Sequence, residues 1–298
     1  MQNIAMVCDR EGVRLDQYIN SRGLGLTRSY IQKLIKDGNI KVNEKFEKSS
    51  YRVDIGDEIL LALPDPEEIE LMPEDIPLDI YYEDEDLILV NKPKDMVVHP
   101  AAGHYSQTLV NALLFHCKSS LSGINGKLRP GIVHRIDKDT TGLIIACKND
   151  KAHEHIANQL REHSIKRLYR AIVCGVLKED SGTIDRPLGR NPLDRKKIAI
   201  CEDGKKSITH YRVLQRFKNH TYIECRLETG RTHQIRVHMA SIGHPLLGDV
   251  IYGKKDEFKL RGQTLHAMVL GFIHPKSGEY LEFSAKLPDY FEHLLHIL

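Results

Sequence analysis

The sequence lacks the features that would place it in a membrane, outside the cell or around a structural metal. It has no long uncharged apolar run, and its first ten residues contain no apolar segment of a secretion signal. Its six cysteines are scattered without a C-x-x-C pair, which argues against a zinc site and against a disulfide framework. From these absences we expect reduced thiols, no membrane span and a cytoplasmic location.

The common cofactor motifs are missing as well. There is no G-x-x-x-x-G-K-[ST] phosphate loop, and the sequence Gly23-Leu24-Gly25 lacks the third glycine of a dinucleotide site. Sixteen histidines are present without an H-E-x-x-H motif, and the spacing of His233 and His238 points them to different faces of a helix. We therefore predict no metal, no nucleotide and no other cofactor, so that any chemistry must rest on side chains.

Charge is unevenly distributed, although the net charge is only +2. Residues 61–90 contain eleven acidic side chains and no Lys or Arg, whereas residues 91–298 carry a surplus of twelve positive charges. Such a surplus is expected of a surface that binds a polyanion. A well-solvated surface with an uneven distribution would show the same count, so charge alone leaves both interpretations open.

The N-terminal segment predicts a compact basic module. Residues 14–19 have the pattern of a short amphipathic helix, and a second helix is expected between Thr27 and Gly38, since glycine suits the position just past a helix end. Residues 40–43 alternate as a short strand does. Arg28, Lys33 and Lys36 lie opposite the apolar arc of the second helix, as on any solvated face. Their clustering without Glu partners at i,i+4 favours RNA contact over a merely solvated face. The candidates are Arg14, Arg28, Lys33, Lys36 and Lys41.

The rest of the chain predicts an acidic linker followed by an α+β domain. Residues 63–78 hold four prolines and dense acid, a composition typical of an extended linker. Beyond them, apolar strands outnumber helices without regular alternation, which favours a mixed sheet over a doubly wound parallel one. We expect strands at 87–90, 143–146, 171–173, 222–225 and 281–283, and helices at 108–116, 152–162 and 233–242. The predicted domains are 1–62, 63–78 (the linker) and 79–298.

Two segments combine polar groups with glycine in a way that could support catalysis. Residues 130–145 place the carboxylate of Asp137 in a loop between two apolar runs, and loops held by strands often carry catalytic groups. Residues 227–238 pack arginines, histidines and a glutamine around a turn that leads into a helix. From the residues alone, each segment could equally be a surface loop or a buried ion pair.

Together these segments resemble the family of rRNA and tRNA pseudouridine synthases typified by RluA and RluD. The sequence HRIDKDTTG, residues 134–142, is similar to the family motif H-R-L-D-x-x-T-[ST]-G, and GRTHQIRVH, residues 230–238, is similar to G-R-x-H-Q-[IL]-R-x-H. Ile136, Thr141 and Ser207 are small departures. The likeness extends from Asp79 to the C-terminus, and residues 14–59 resemble an S4-type RNA-binding domain.

The resemblance implies an enzyme that converts selected uridines to pseudouridine, with large-subunit rRNA favoured over tRNA. It implies that Asp137 is the catalytic aspartate, that Arg236 is its partner and that Tyr169 is the active-site tyrosine. A guanidinium partner is also needed physically, because burial in a water-excluding pocket disfavours an ionised carboxylate. The expected contacts to RNA near the pocket are Arg135, Lys138, Thr140, Arg231, His233 and Gln234.

Several alternatives stay open at this point. Asp137 could attack C1′ of the ribose, attack C6 of the base or remove a sugar proton. A non-catalytic RNA-binding factor for ribosome assembly would share the S4-like module but would need none of the three catalytic residues. A glycoside hydrolase would need a second acid across a sugar, and these motifs offer none. We expect a monomer, since no self-complementary surface is evident.

Overall fold

The computed structural model describes residues 2–64, 71–100, 104–118, 120–126, 128–194, 197–253 and 258–298. The chain divides into two compact units, Met1–Ile69 and Glu70–Leu298. All six cysteines lie in the described ranges, and none forms a disulfide. No helix in these ranges is long and apolar enough to cross a membrane.

The first unit packs two short helices against a three-stranded antiparallel sheet. Its elements are β1 (Gln2–Val7), α1 (Leu15–Ser21), α2 (Arg28–Lys36), β2 (Ile40–Val42) and β3 (Glu58–Leu63), and the strand order is β1-β3-β2. The side chain of Thr27 accepts a hydrogen bond from the backbone N–H of Tyr30 at the start of α2. Gly38, just past its end, has a φ of +75°, which glycine adopts without strain. The helix positions agree with the sequence prediction, whereas β1 was not predicted.

The second unit is built on one large mixed sheet with helices against it. Its elements are β4 (Ile80–Glu83), β5 (Leu87–Lys92), α3 (Leu109–Cys117), β6 (Thr141–Cys147), α4 (Asp150–Arg161), β7 (Lys166–Cys174), β8 (Ser181–Asp185), β9 (Leu188–Arg190), β10 (Ile198–Ile200), β11 (Ile208–Arg216), β12 (His220–Leu227), α5 (Gln234–Ser241), β13 (Leu265–Ile273), β14 (Tyr280–Ser284) and α6 (Asp289–Ile297).

The large sheet is mainly antiparallel, as expected. Its strand order is β4-β5-β6-β13-β7-β12-β11-β8, with β14 paired to β13 and with β9 and β10 forming a separate hairpin. In the described ranges, β6 and β13 are the one parallel pair of this sheet. The prediction of an α+β fold with an S4-like unit and a mixed, mainly antiparallel sheet is confirmed.

The central strands are continuously apolar because both faces of the sheet are covered. In β5 and β6, alternate side chains enter two different clusters: Ile88 and Ile144 join the one that contains α3 residues, and Leu89 and Ile145 join the one that contains α4 residues. A strand buried on one face only would alternate apolar and polar residues instead. The centre of the sheet is therefore a rigid support for the loops at its strand ends.

The predicted linker lies partly outside the described residues, at 65–70. Residues 71–78 belong to the second unit: Leu71 and Leu78 contact its main apolar cluster, and Glu74 accepts hydrogen bonds from the backbone and side chain of Gln107. The side chain of Asn111 in α3 also donates to the backbone of Met72. The domain boundaries drawn from the sequence remain a prediction.

Candidate active site

The loop that carries Asp137 is shaped by its connection to the sheet. The backbone carbonyl of Asp137 accepts a hydrogen bond from the N–H of Thr140 at 3.0 Å. The chain therefore turns directly after Asp137 and enters β6. In β6, Gly142 has a φ of +110°, and a Cβ there would lie 2.3 Å from the backbone oxygen of Ala267 in β13. Only glycine allows this close approach of the parallel strands, which brings β13 beside the Asp137 loop.

A buried lysine also holds the loop that carries Asp137. Lys92, at the end of β5, has no exposed surface, and its ammonium group donates to the backbone oxygens of Pro93, Met96 and Lys138 at 2.8–2.9 Å. Burial lowers the pKa of Lys92 to about 7. Because one acceptor is the residue after Asp137, this lysine ties the catalytic loop to the neighbouring turn.

The turn before α5 is organised by Gln234. Its side-chain oxygen accepts from the hydroxyl of Thr229 and the backbone N–H of Arg231, and its amide donates to the backbone oxygen of Ile208 and the hydroxyl of Thr209. The residue is 3% exposed, so these contacts use its amide within the protein. These contacts show that Gln234 shapes the turn, and since the residue also lines the cavity at Asp137, its contact with RNA stays a prediction.

Arg236, in the first turn of α5, links two carboxylates. Its Nη1 lies 2.9 Å from Oδ2 of Asp137, while Nε and Nη2 bind the two oxygens of Asp249 at 2.7 and 2.9 Å. The guanidinium is 4% exposed and the carboxylate of Asp249 is fully buried, whereas that of Asp137 keeps 16% exposure. Burial by itself would raise the pKa of Asp249, but the bonds from Arg236 outweigh it and lower that pKa. Asp249 therefore anchors the arginine, and Asp137 is left as the carboxylate that a substrate can reach.

Tyr169 lies on β7 at the wall of the same pocket. It pairs with Cys225 on one side and Ala267 on the other, and it is 8% exposed. Burial is the main cause that raises its pKa, and Asp137 adds to the effect, so the phenol carries its proton at neutral pH. The sheet register thus brings together Asp137, Arg236 and Tyr169, the three residues that the sequence resemblance marks as catalytic.

Two cavities meet at the carboxylate. One is lined by Tyr169, Leu265 and Thr140 among others, and the second lies toward His99 and Gln263. Both cavities are bordered by Arg135, Ile136, Asp137, His233 and Arg236.

The other predicted contacts near the pocket differ in how accessible they are. Arg135 and Arg231 are exposed, and Lys138 is exposed while it pairs with Asp95 at 2.8 Å. Thr140 is buried and accepts a hydrogen bond from Gln263, although it still lines the first cavity. His233 is half-buried, with Nε2 3.8 Å from Oδ2 of Asp137. The exposed arginines and lysine can contact RNA without rearrangement.

In the first unit, two of the predicted basic residues are oriented by a buried acid. Asp16, whose side chain has no exposed surface, accepts from Arg14 at 3.1 Å and from Arg28 at 3.0 Å. Both arginines remain about two-fifths exposed, so they can still meet a phosphate. Lys33 and Lys36 are exposed on α2, and the ammonium group of Lys41 lies 5.0 Å from the centre of the Phe46 ring.

In the described part of the chain, side chains that could bind a metal ion are grouped at one place. Asp84, Asp86 and His274 bring their ligand atoms within 4.8 Å of one another. Asp84 is already engaged, since one oxygen accepts from Tyr82 and lies 2.7 Å from His274, and the other accepts two backbone N–H groups. This cluster lies outside both cavities around Asp137.

Two residues that were not among the predicted site residues contact the site in the structure. Asp249 anchors Arg236, and Tyr252 places its ring 5.2 Å from the guanidinium of Arg236 and its hydroxyl 2.8 Å from Nδ1 of His233. Both belong to the sequence GDVIYG, in which Asp249 ends the segment 243–249 that resembles the family and Tyr252 lies outside every motif. Their partners lie in another segment, so spacing could not identify them.

These observations define a candidate active site: a partly exposed carboxylate held by a buried arginine, in a pocket of a mixed sheet, on a chain with a separate N-terminal unit. Comparison with known proteins specifies the class. The sequence profile of RNA pseudouridylate synthase matches residues 86–241, and that of the S4 domain matches residues 13–59. The chain belongs to the RNA pseudouridine synthase family and is an RNA pseudouridine synthase.

Individual relatives agree with this assignment. An uncharacterised RNA pseudouridine synthase of Bacillus subtilis is 50% identical over 94% of this chain and 92% of its own length. Ribosomal large subunit pseudouridine synthase D of Zymomonas mobilis is 46% identical over 100% of this chain and 97% of its own. Among solved structures, human RNA Pseudouridylate Synthase Domain Containing 1 aligns with a TM-score of 0.59 and 26% identity, covering 76% of this chain and 87% of that one.

Proposed function

We propose that this enzyme isomerises specific uridines of large-subunit rRNA to pseudouridine, with Asp137 as the essential carboxylate. The observation that supports it most is the 2.9 Å contact between Asp137 and Arg236 inside a pocket that also contains Tyr169. The choice of large-subunit rRNA is supported by the S4 match and by relatives named for the ribosomal large subunit. Because the proposed substrate is ribosomal RNA, we also propose a cytoplasmic location; the monomeric state stays a prediction.

The chemistry divides among the three residues according to their surroundings. Pseudouridylation breaks the N1–C1′ bond, turns the uracil and rejoins it through C5. Asp137, held in place by Arg236, acts at C1′, at C6 or on a sugar proton, and each of these roles requires a carboxylate. The ring of Tyr169 faces the detached uracil, and its protonated hydroxyl is placed to help move the C5 proton. The buried sheet beneath the pocket keeps water from the intermediate.

The target uridine has to leave its stack to reach Asp137. Extrusion of a base costs a few kcal/mol, least in loops and bulges, and phosphate contacts offset it. Arg135, Lys138 and Arg231 are exposed at the pocket and supply such contacts, with His233 and Thr140 closer to the base. Arg14, Arg28, Lys33, Lys36 and Lys41 add affinity from the first unit. We expect a hairpin loop in structured RNA as the substrate.

The test is a map of pseudouridines in cellular RNA with and without the gene, followed by complementation with variants. Asp137→Asn should restore none of the missing pseudouridines, because an amide is neither a nucleophile nor a base. Asp139→Asn is the matched control: the same change two residues away, at a half-buried acid that makes no contact with Arg236. It should restore the sites. Unchanged pseudouridines after loss of the gene, or full rescue by Asp137→Asn, would refute the proposal.

A further inference from the structure

The two oxygens of Asp137 differ in their surroundings. Oδ2 accepts from Arg236 and also lies 3.8 Å from Nε2 of His233. In the described part of the chain, no group donates to Oδ1. A distance of 3.8 Å is too long for a hydrogen bond, but catalytic contacts are often long before substrate binds and shorten in the complex. Both groups that can hold the carboxylate therefore lie on the side of Oδ2.

The orientation of His233 is imposed by its backbone and by Tyr252. His233 has a φ of +56° and a ψ of +20°, a left-handed conformation that is uncommon for residues other than glycine and is enriched at functional sites. Its ring meets the ring of Tyr252 edge-on, with centroids 5.6 Å apart, and Nδ1 lies 2.8 Å from the tyrosine hydroxyl. Nε2 is thereby directed toward Asp137.

The hydrogen-bond chain behind His233 selects its tautomer. The hydroxyl oxygen of Tyr252 accepts from the backbone N–H of Ile198 in β10 at 2.9 Å. In the described ranges, Nδ1 of His233 is the one acceptor within reach of this hydroxyl, so the hydroxyl hydrogen is assigned to the bond with Nδ1. An Nδ1 that accepts must be unprotonated, so the ring hydrogen is on Nε2. In this arrangement all three groups are satisfied, and a neutral N–H faces the carboxylate.

We propose that Tyr252 is a positioning residue that holds His233 as the neutral Nε2–H tautomer, so that His233 donates to Oδ2 of Asp137 once uridine is bound and Oδ1 is left as the reacting oxygen. The inference rests on the proposed role of Asp137. A neutral N–H orients the carboxylate of Asp137 without cancelling its charge. An imidazolium would instead compete with the substrate for that carboxylate. Tyr252 also supports the other donor, because its ring packs on Arg236 and its backbone N–H binds Asp249.

The charged groups around His233 shift its pKa in both directions. Burial lowers the pKa of His233, and Arg236 and Arg135 lower it further, while Asp137 and Asp249 raise it. A hydroxyl that donates to Nδ1 favours the neutral ring as well. Removing only that hydroxyl should therefore raise the pH at which the ring gains its second proton.

The first experiment needs no substrate. The full chain labelled with ¹⁵N-histidine is studied by NMR, and the signals of His233 are identified by their loss in His233→Gln. We expect hydrogen on Nε2 and none on Nδ1. In Tyr252→Phe this preference should be lost, and the protonation midpoint of His233 should move to higher pH. An Nδ1–H tautomer in the wild-type protein, or an unchanged His233 in Tyr252→Phe, would overturn the inference.

The second experiment measures single-turnover release of tritium from C5 of uridine in transcribed large-subunit rRNA. Tyr252→Phe should slow the step about tenfold, the effect of one missing hydrogen bond, without weakening RNA binding. His233→Gln, whose amide nitrogen can take the place of Nε2, should keep most of the rate. His233→Asn tolerates the left-handed backbone but places its amide near Nδ1, so it should lose as much as His233→Ala. Equal rates for the Gln and Asn variants would contradict the role of the Nε2–H.

Controls separate this inference from general damage and from failure of the proposed function. Tyr222→Phe removes another partly buried hydroxyl of the second unit, one that makes no hydrogen bond with the described residues, and should change neither the rate nor the His233 signals. Activity retained by Asp137→Asn, or no tritium release by the wild type, would refute the proposed function. In that case the NMR measurement would still decide whether Tyr252 fixes the tautomer.

Discussion

Replacing Arg236 with methionine should destabilise the second unit far more than replacing Asp137 with asparagine. Arg236→Met removes all three hydrogen bonds of the guanidinium and leaves the fully buried carboxylate of Asp249 without its partner. Breaking a buried pair in this way costs about 3–5 kcal/mol. Asp137→Asn removes one contact at a carboxylate that is 16% exposed, and Arg236 keeps Asp249, so the cost should be about 1 kcal/mol or less.

Thermal unfolding measures the difference. For a domain of 150–250 residues, each kcal/mol shifts Tm by roughly 2–4 °C, so Arg236→Met should lower the Tm of the second unit by roughly 6–20 °C. Hydrogen exchange in peptides from β6 and β13 assigns the transition to that unit. The double variant Arg236→Met with Asp249→Asn should recover much of the loss, because no uncompensated charge stays buried. Equal Tm values for Arg236→Met and Asp137→Asn would refute this account of the anchor.

Three further outcomes are expected. Tyr169→Phe keeps the ring and should bind RNA normally. Its rate of tritium release should fall by about 10²–10⁴-fold, the usual contribution of a proton-transfer group. An unchanged rate would mean that Tyr169 stacks on the base and transfers no proton. Replacing Lys33, Lys36 and Lys41 with glutamine should weaken RNA binding. The slope of the logarithm of the binding constant against the logarithm of the salt concentration should become shallower by about 0.7–0.9 for each phosphate that is no longer neutralised. An unchanged slope would mean that RNA does not contact these lysines. Burial lowers the pKa of His266 to about 4. Because the unfolded chain binds this proton near pH 6.5, stability should fall as the pH drops from 6.5 to 4, and His266→Asn should flatten that part of the curve in urea titrations at several pH values.

Local patterns were sufficient for most elements of the fold. The second helix was predicted between Thr27 and Gly38 because capping and left-handed backbone preferences act within a few residues. The β5 and β6 segments were predicted as strands from their continuous apolar runs. Strand β1 was not predicted, since the alternation of apolar and polar residues in 2–7 is too weak to recognise without the partner strand β3.

The candidate site was predicted unevenly for a similar reason. Asp137, Arg236 and Tyr169 were found through motif resemblance, and their proximity could be expected from it. Gln234 was predicted as an RNA contact, but its motif does not show that four internal partners occupy its amide, so its role in shaping the turn became visible only in the structure. The role of Tyr252 could not be predicted at all, since its partners are His233 and the backbone of Ile198 in other segments.

The sequence by itself determined the mixed sheet and the family, because helix caps, apolar periodicity and motif letters are properties of neighbouring residues. Only the tertiary structure decided which acid anchors Arg236 and which acid it leaves for the substrate. Asp137 and Arg236 are 99 residues apart, and they meet because strand register and the close approach at Gly142 bring their loops together. Burial then separates Asp249, which is sealed in the protein, from Asp137, which can reach RNA. That difference in burial arises from packing and is absent from the order of the letters.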